Sequence, residues 1–230
     1  MTTPIRSATD LRILVVGPHP DDETLGAGAI LAKLHRLGAE LHFRVATGGQ
    51  RGTGGMERRL AEYQAACAIL GSKSTECWRI QDGDLEDNPG LRERIVTAGR
   101  AVKANMVITT SLTCYHNDHY KLGLAVRNGR ERWGGPPPMM VFMDHFVRGM
   151  GTEPTRPDNW FDATEDWEQM RAAWDCYTSQ DPNLWDDVEL LARLRGGQRD
   201  PRVRYAQCFT GPGTAGHDAG LKALIHALDE

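Results

Sequence analysis

A short segment near the start of the chain carries side chains suited to chemistry. It reads GPHPDDE at residues 17–23 and follows a continuous apolar run, Leu11–Val16. Such a run predicts a strand buried on both faces, and the acidic residues after it suit the first turn of a helix. One imidazole and one or two carboxylates, on a turn stiffened by Pro20, suit a divalent cation. The glycines of a dinucleotide-binding turn are absent, and the two carboxylates would repel a phosphate.

A second cluster offers further metal-binding side chains. It reads YHNDH at residues 115–119 and follows a predicted strand, Met106–Thr110. Because parallel strands end at the same edge of a sheet, the two clusters can meet there. A catalytic zinc site needs three protein ligands and an open position, which the two clusters can supply together. Asp118, between two histidines, also offers a carboxylate that can fix an imidazole tautomer.

Each cluster has a plainer explanation when it is taken alone. Asp21 and Asp22 could cap a helix, and Glu23 could face the positive end of the helix dipole. A turn with His-Pro-Asp-Asp and a turn with His-x-Asp-His, each after a buried strand, are harder to explain by solubility. Together they predict a metal site at the carboxyl edge of the sheet.

The elements that must position these clusters alternate between strand and helix. The predicted strands are Leu11–Val16, Leu41–Thr47, Cys77–Ile80, Met106–Thr110, Met139–Met143 and Arg202–Phe209, and the predicted helices are a first one stopped by Gly38, then Glu57–Leu70, Leu91–Lys103, Glu165–Tyr177, Leu184–Leu194 and Gly220–Leu228, with a loop at Gly149–Asp158. This order predicts an α/β fold, a three-layer Rossmann-like and mostly parallel sheet with helices on both faces. We expect a single domain over residues 1–230.

Composition excludes several classes of protein. The 230 residues contain 27 Lys and Arg against 31 Asp and Glu, and this acidic balance is a poor match to nucleic acid. The apolar runs are too short to span a bilayer, and no secretory signal is visible. The five cysteines are odd in number and never form C-x-x-C, which favours a reducing compartment. We therefore expect a cytoplasmic protein, with its oligomeric state left open, a homo-oligomer included.

The two clusters also carry a resemblance to a known family. The segment VGPHPDDETLGAG at 16–28 resembles the amino-terminal signature of the PIG-L/LmbE-like zinc-dependent de-N-acetylases, and HNDH at 116–119 resembles their second motif. Further matches are TGGQRG at 47–52, RLAE at 59–62, and Ser179-Gln180. The resemblance implies a hydrolase that uses metal-activated water to remove an N-acetyl or similar acyl group from an amino sugar or sugar conjugate.

Residue roles follow from the resemblance. It implies His19, Asp22 and His119 as ligands of Zn²⁺, with Asp21 as general base. His116 would stabilise the transition state, ideally as imidazolium, with Asp118 orienting it, and Tyr115 would assist at the oxyanion. Arg59 and Asp87 match positions that contact substrate in some relatives.

Some features depart from the family pattern or leave alternatives open. Gly48 stands where relatives commonly have Asp, so the sequence does not say how the Asp21 side of the pocket is supported. The donor set also suits Fe²⁺ and other divalent ions. Two other functions remain open, hydrolysis of another small amide and a non-catalytic binding protein that keeps the metal as a scaffold.

Overall fold

The computed structural model describes residues 7–114, 116–143, 159–211 and 223–225. In these residues the strands are β1 (Arg12–Gly17), β2 (Glu40–Thr47), β3 (Ser72–Ile80), β4 (Met106–Thr110), β5 (Met139–Met143), β6 (Asn159–Asp162) and β7 (Ala206–Thr210). They form one sheet in the order β3-β2-β1-β4-β5-β7-β6. Strands β1 to β5 pair in parallel, while β7 runs antiparallel to both β5 and β6.

Helices cover both faces of this sheet. They are α1 (Asp22–Arg36), α2 (Met56–Ile69), α3 (Pro89–Ala101), α4 (Asn117–Gly129), α5 (Trp167–Trp174) and α6 (Leu184–Arg199). Because successive side chains of a strand point to opposite faces, β1 contributes to two separate cores. Ile13 and Val15 pack with α1, α2, α5 and α6, whereas Leu14 and Val16 pack with α3 and α4. The three-layer, mostly parallel α/β fold predicted from the sequence is therefore confirmed.

Some elements differ from the prediction. β3 begins at Ser72, whereas the prediction began it at Cys77. The prediction missed the first half of the strand because that half is polar and lies at the edge of the sheet, where no apolar run is needed. Helix α4 was not predicted, although Leu122, Ala125 and Val126 are buried at helical spacing. The short edge strand β6 was also missed. The predicted loop Gly149–Asp158 lies outside the described residues, as does most of the predicted helix Gly220–Leu228.

The order of the strands places a topological switch point at the carboxyl edge of the sheet. β2 and β4 flank β1 on its two sides, so the connections after β1 and β4 leave in different directions. In open α/β sheets, ligands bind outside the carboxyl ends of the strands at such a switch point. Both chemical clusters of the sequence follow β1 or β4. In the described part of the chain, no helix combines the length and apolar character needed to cross a bilayer.

Candidate metal centre

Segments that follow four neighbouring strands meet at this edge. The turn after β1 brings His19, Asp21 and Asp22, and the start of α4 brings His116, Asp118 and His119. The loop after β3 adds Asp82, which bonds to His19, and the loop after β2 donates a backbone N–H to Asp82 from Arg51. The structure thus brings together the two clusters that the sequence places almost 100 residues apart.

Asp22 lies between two imidazole rings. One of its carboxylate oxygens is 3.4 Å from Nδ1 of His19, and the other is 3.3 Å from Nε2 of His119. In a tetrahedral zinc site with bonds of about 2.0–2.1 Å, two ligand atoms lie about 3.3 Å apart. Each of the two separations, taken singly, is therefore close to that between two ligands of one ion. All three side chains are buried or nearly so.

The other ring nitrogen of His19 faces two further carboxylates. Nε2 lies 3.2 Å from Oδ1 of Asp82 and 3.3 Å from Oδ2 of Asp118. If the ring proton sits on Nε2 and is donated to these carboxylates, the Nδ1 lone pair is left free on the side of Asp22. Backbone N–H groups hold both acceptors, from Arg51 to Asp82 and from Gly83 to Asp118.

Asp82 is the site residue that the sequence analysis missed. Burial opposes its ionisation, but hydrogen bonds from His19 and from the N–H of Arg51 outweigh burial and lower its pKa to about 2. The signal in the sequence was present: Asp82-Gly83 comes directly after the end of β3, on the same edge as the two recognised clusters. The end of β3 was predicted correctly at Ile80, but several acidic residues follow it and the sequence pattern does not single out Asp82 among them.

His116 caps the beginning of α4 and lies beside the other two imidazoles. Its ring centroid is 4.9 Å from that of His19 and 4.6 Å from that of His119. Burial, and then the nearby His19, lower its pKa, so the surroundings favour neutral imidazole over the expected imidazolium. Asp118 hydrogen-bonds to His19 and to the N–H of Gly83, whereas the resemblance implied that it orients His116. The first turn of α4 directs Asp118 toward the loop after β3.

Asp21 occupies an unusual backbone conformation next to the metal-binding residues. Its φ of 135° is rare for a residue with a side chain, and such conformations cost about 1–3 kcal/mol. Burial, and then the negative charge of Asp22, raise the pKa of Asp21 to about 8, while Arg59 and His19 oppose the rise. A strained, buried carboxylate that sits beside a candidate metal site is typical of a functional residue.

Arg59 reaches the same turn from helix α2. Its Nη2 donates to Oδ2 of Asp21 and to the carbonyl oxygen of Pro20, both at 2.9 Å, and its Nη1 donates to the carbonyl oxygen of Gly49 at 3.1 Å. The residue is only 5% exposed. Arg59 therefore lies at the site, but the donors it uses are directed to Asp21 and the backbone.

Two hydrogen-bonded groups fix the surroundings of the turn. Glu23, buried in the first turn of α1 as expected, accepts from Tyr177 Oη and from the N–H of Asp21. Glu62, at the end of the R-x-x-E motif, accepts from both the N–H and the hydroxyl of Ser179. Ser179, from the late Ser-Gln motif, is thus bound to helix α2, which also carries Arg59.

The other predicted residues are not brought into the cluster. The Asp87 carboxylate bonds to Arg92 at 2.5 and 2.7 Å and to Asn128 at 2.7 Å, at the beginning of α3. None of these bonds reaches the metal-binding residues, so its substrate contact stays a prediction. Tyr115 lies outside the described residues.

The residues present fit a divalent cation. His19, His116 and His119 each offer a nitrogen, and these atoms lie within 4.8 Å of one another. Four carboxylates, those of Asp21, Asp22, Asp82 and Asp118, gather around the imidazoles, with the guanidinium of Arg59 as a positive partner at Asp21. Nδ1 of His116 and Oδ1 of Asp118 are buried without a hydrogen-bond partner among the described residues. A cation, with its bound water, would balance this charge and could satisfy such atoms.

The chain is similar in sequence or structure to several known proteins, of which three are described. It is 30% identical over 105 residues to diacetylchitobiose deacetylase from Thermococcus kodakarensis, across 42% of this chain and 39% of that enzyme. The chain therefore matches about two fifths of the length of this curated relative. The crystal structure of the conserved protein TT1542 from Thermus thermophilus superposes with a TM-score of 0.75 at 28% identity, over 88% of this chain and 94% of that one.

A third similar protein has a different activity. The crystal structure of GalB, the 4-carboxy-2-hydroxymuconate hydratase of Pseudomonas putida KT2440, gives a TM-score of 0.75 at 25% identity, over 89% of this chain and 97% of that one. The proteins that this chain resembles thus include both a deacetylase and a hydratase. The family model for PIG-L, described as GlcNAc-PI de-N-acetylase, matches residues 14–129, which contain both chemical clusters and Asp82. With half of its length matched by that model, the chain belongs to the PIG-L family.

Proposed function

We propose that this protein is a metal-dependent hydrolase that removes an N-acetyl or similar acyl group from an amino sugar or sugar conjugate. Membership of the PIG-L family supports the reaction class. The observation that carries the proposal is the position of Asp21, a buried carboxylate next to the proposed metal ligands His19, Asp22 and His119. A site that only bound a metal would not need this additional base.

His19, Asp22 and His119 would hold the cation, which we take to be Zn²⁺, although the same donors suit Fe²⁺. Such an ion lowers the pKa of its water from about 15.7 to about 7, which provides a nucleophile at neutral pH. His19 would bind the cation through Nδ1, because Nε2 lies within hydrogen-bond distance of Asp82 and Asp118, which can accept its proton. This arrangement fixes the orientation of the ring as well as its tautomer.

Asp21 accepts the proton of the attacking water. Its Oδ2 is held by Arg59, which leaves Oδ1 as the acceptor. A general base works best when its pKa lies near the operating pH, and burial raises the pKa of Asp21 in that direction. A cation held by Asp22 would oppose this rise. Asp21 then returns the proton to the nitrogen of the leaving amine.

His116 stands where it can stabilise the negative charge that develops on the carbonyl oxygen. As a neutral imidazole it still has one N–H to donate, so the lowered pKa is compatible with this role. Donation from a preorganised group in a buried site is worth more than the same bond in water. Tyr115, the residue before His116 in the sequence, would supply a second hydrogen-bond donor to the same oxygen.

A hydratase is the second candidate function. The similarity to GalB favours it, because that match covers nearly the full length of both chains at 25% identity. Addition of water to a double bond needs an activated water and a proton acceptor, as amide hydrolysis does. The two reactions differ in their substrates, an N-acylated sugar in one case and an unsaturated carboxylate in the other.

An activity screen separates the candidate functions. We expect the metal-replete protein to release acetate from N,N′-diacetylchitobiose or from another N-acetylated amino sugar of a panel, and the chelated protein to release none. Hydration of 4-carboxy-2-hydroxymuconate, monitored as the loss of its ultraviolet absorbance, without any release of acetate would favour the hydratase. Bound metal with no turnover in either assay would favour a binding protein.

Asp82→Asn tests whether this carboxylate supports His19. Loss of an outer partner of a metal-ligating histidine typically weakens metal binding by about 10- to 100-fold. We expect the zinc dissociation constant of the Asp82→Asn variant, measured by competition with a chelator, to rise by this factor. Asp166→Asn is the matched control, because Asp166 is also buried and ion-paired, with Arg36 at the opposite end of α1. Equal zinc affinity in both variants would show that Asp82 does not support metal binding by His19.

A further inference from the structure

Arg59 uses its guanidinium in a way that differs from a substrate-binding arginine. Three hydrogen bonds run from its two Nη atoms to Asp21, Pro20 and Gly49, and the side chain is 6% exposed. Its Nε is buried and has no hydrogen-bond partner among the described residues. An arginine that binds substrate must present donors to the open site, whereas these donors point into the protein.

The loop after β2 closely surrounds the guanidinium. A Cβ atom at Gly49 or at Gly52 would lie only 2.3 Å from Nη1 of Arg59, so side chains at these positions would collide with it. Gly49 also has a φ of 63°, which glycine adopts without strain. The two glycines therefore allow the backbone to close on Arg59 and limit its movement.

We propose that Arg59 is a positioning residue, which fixes the carboxylate of Asp21 for proton transfer. This inference rests on the proposed role of Asp21 as general base. One Nη atom bonds both to the carboxylate of Asp21 and to the carbonyl oxygen of the residue before it. The guanidinium thereby holds the side chain and the strained backbone of Asp21 together. Gly48 has no side chain to offer such support, so Arg59 supplies it from helix α2.

The kinetic test separates positioning from substrate binding. Arg59→Lys keeps the charge, but a single ammonium cannot occupy the places of both Nη atoms. Since a displacement of about 1 Å can cost about 100-fold in rate, we expect kcat for acetate release from N,N′-diacetylchitobiose to fall by about 10- to 100-fold. We expect KM to change by less than about twofold, because the interaction removed does not involve substrate. Introduced into Asp21→Asn, the same change should alter kcat by less than about twofold.

Two further variants control for damage to the fold. Gly52→Ala leaves the charge of Arg59 intact but forces Nη1 to move, and we expect a lower kcat with unchanged KM. Arg44→Lys is the matched control, because Arg44 is a buried arginine of β2 that pairs with Glu76 at 3.0 Å. It should change stability without changing the kcat of the folded protein. A rise in KM on Arg59→Lys that persists in Asp21→Asn would overturn the proposal in favour of substrate binding.

A measurement without substrate keeps this inference separate from the proposed function. The measurement is denaturant unfolding of the metal-free protein, in which Arg59→Gln should lower the folding equilibrium constant of the wild type. In Asp21→Asn, we expect the same substitution to lower this constant by a factor that is at least about tenfold smaller. Additive effects would mean that the two side chains do not interact, and the proposal would fail. If the wild type releases no acetate from any sugar while this coupling is present, the proposed function fails but Arg59 still holds Asp21.

Discussion

Replacement of Asp21 by Asn should abolish most turnover while the protein keeps its metal. The amide has almost the size and shape of the carboxylate, but it cannot accept a proton from water at neutral pH. General acid–base catalysis contributes about 10²- to 10⁴-fold, and we expect kcat for acetate release to fall within this range. The bound metal, measured on the purified variant, should stay equal to that of the wild type, since Asp22 and both histidine ligands are untouched.

Among residues with a side chain, Asn is also well tolerated by the backbone at this position. Positive φ angles are several-fold enriched in Asn and Asp, so the turn with its φ of 135° can persist. The change leaves the guanidinium of Arg59 buried without its carboxylate, which costs stability. Assays should therefore be run well below the unfolding temperature, with Asp166→Asn as a control for the loss of a buried, paired carboxylate. Wild-type activity in Asp21→Asn would remove Asp21 from the role of base.

The fold could be predicted from the sequence because its central strands are simple. β1, β2 and β4 are buried on both faces, so they appear as apolar runs bounded by turn residues. β3 and β6 lie at the edges of the sheet, where polar residues suffice; β3 was predicted too short and β6 was not predicted. The antiparallel pairing of β7 depends on contacts between distant segments, which local patterns do not report.

The candidate site was predictable where chemistry is concentrated in a short segment. His19 and Asp22 share one turn, and His119 shares another with His116, so the residue types were sufficient to mark both segments as candidates. The ligand roles of these residues came from the family resemblance and stay a prediction. Asp82 stands in a loop that also carries Asp84, Glu86 and Asp87, and only the fold shows which of these carboxylates reaches His19. The direction of a side chain was also beyond the sequence: Asp118 bonds to His19, and Arg59 bonds to Asp21.

The protein should lose its metal when His119 is replaced by Ala. His119 is one of three proposed ligands, and its Nε2 lies 3.3 Å from Asp22. Loss of an outer partner of a ligand weakens metal binding by up to about 100-fold. Removal of His119, a direct ligand in this proposal, should weaken zinc binding by more than that. We expect purified His119→Ala to contain little metal and to release no acetate at zinc concentrations that saturate the wild type.

His42→Ala is the matched control for His119→Ala. His42 is also buried, but it lies near the beginning of β2, where it pairs with Ser74 and Glu40, so it is at the opposite edge of the sheet from the site. Its loss should lower stability and leave the metal content unchanged. The contrast with Asp21→Asn is equally informative, because that variant should be inactive with metal bound, and His119→Ala inactive without it. A His119→Ala protein that retains a full complement of zinc would show that the cation is held elsewhere, with the alternative donors His19, Asp82 and Asp118 as the first place to look.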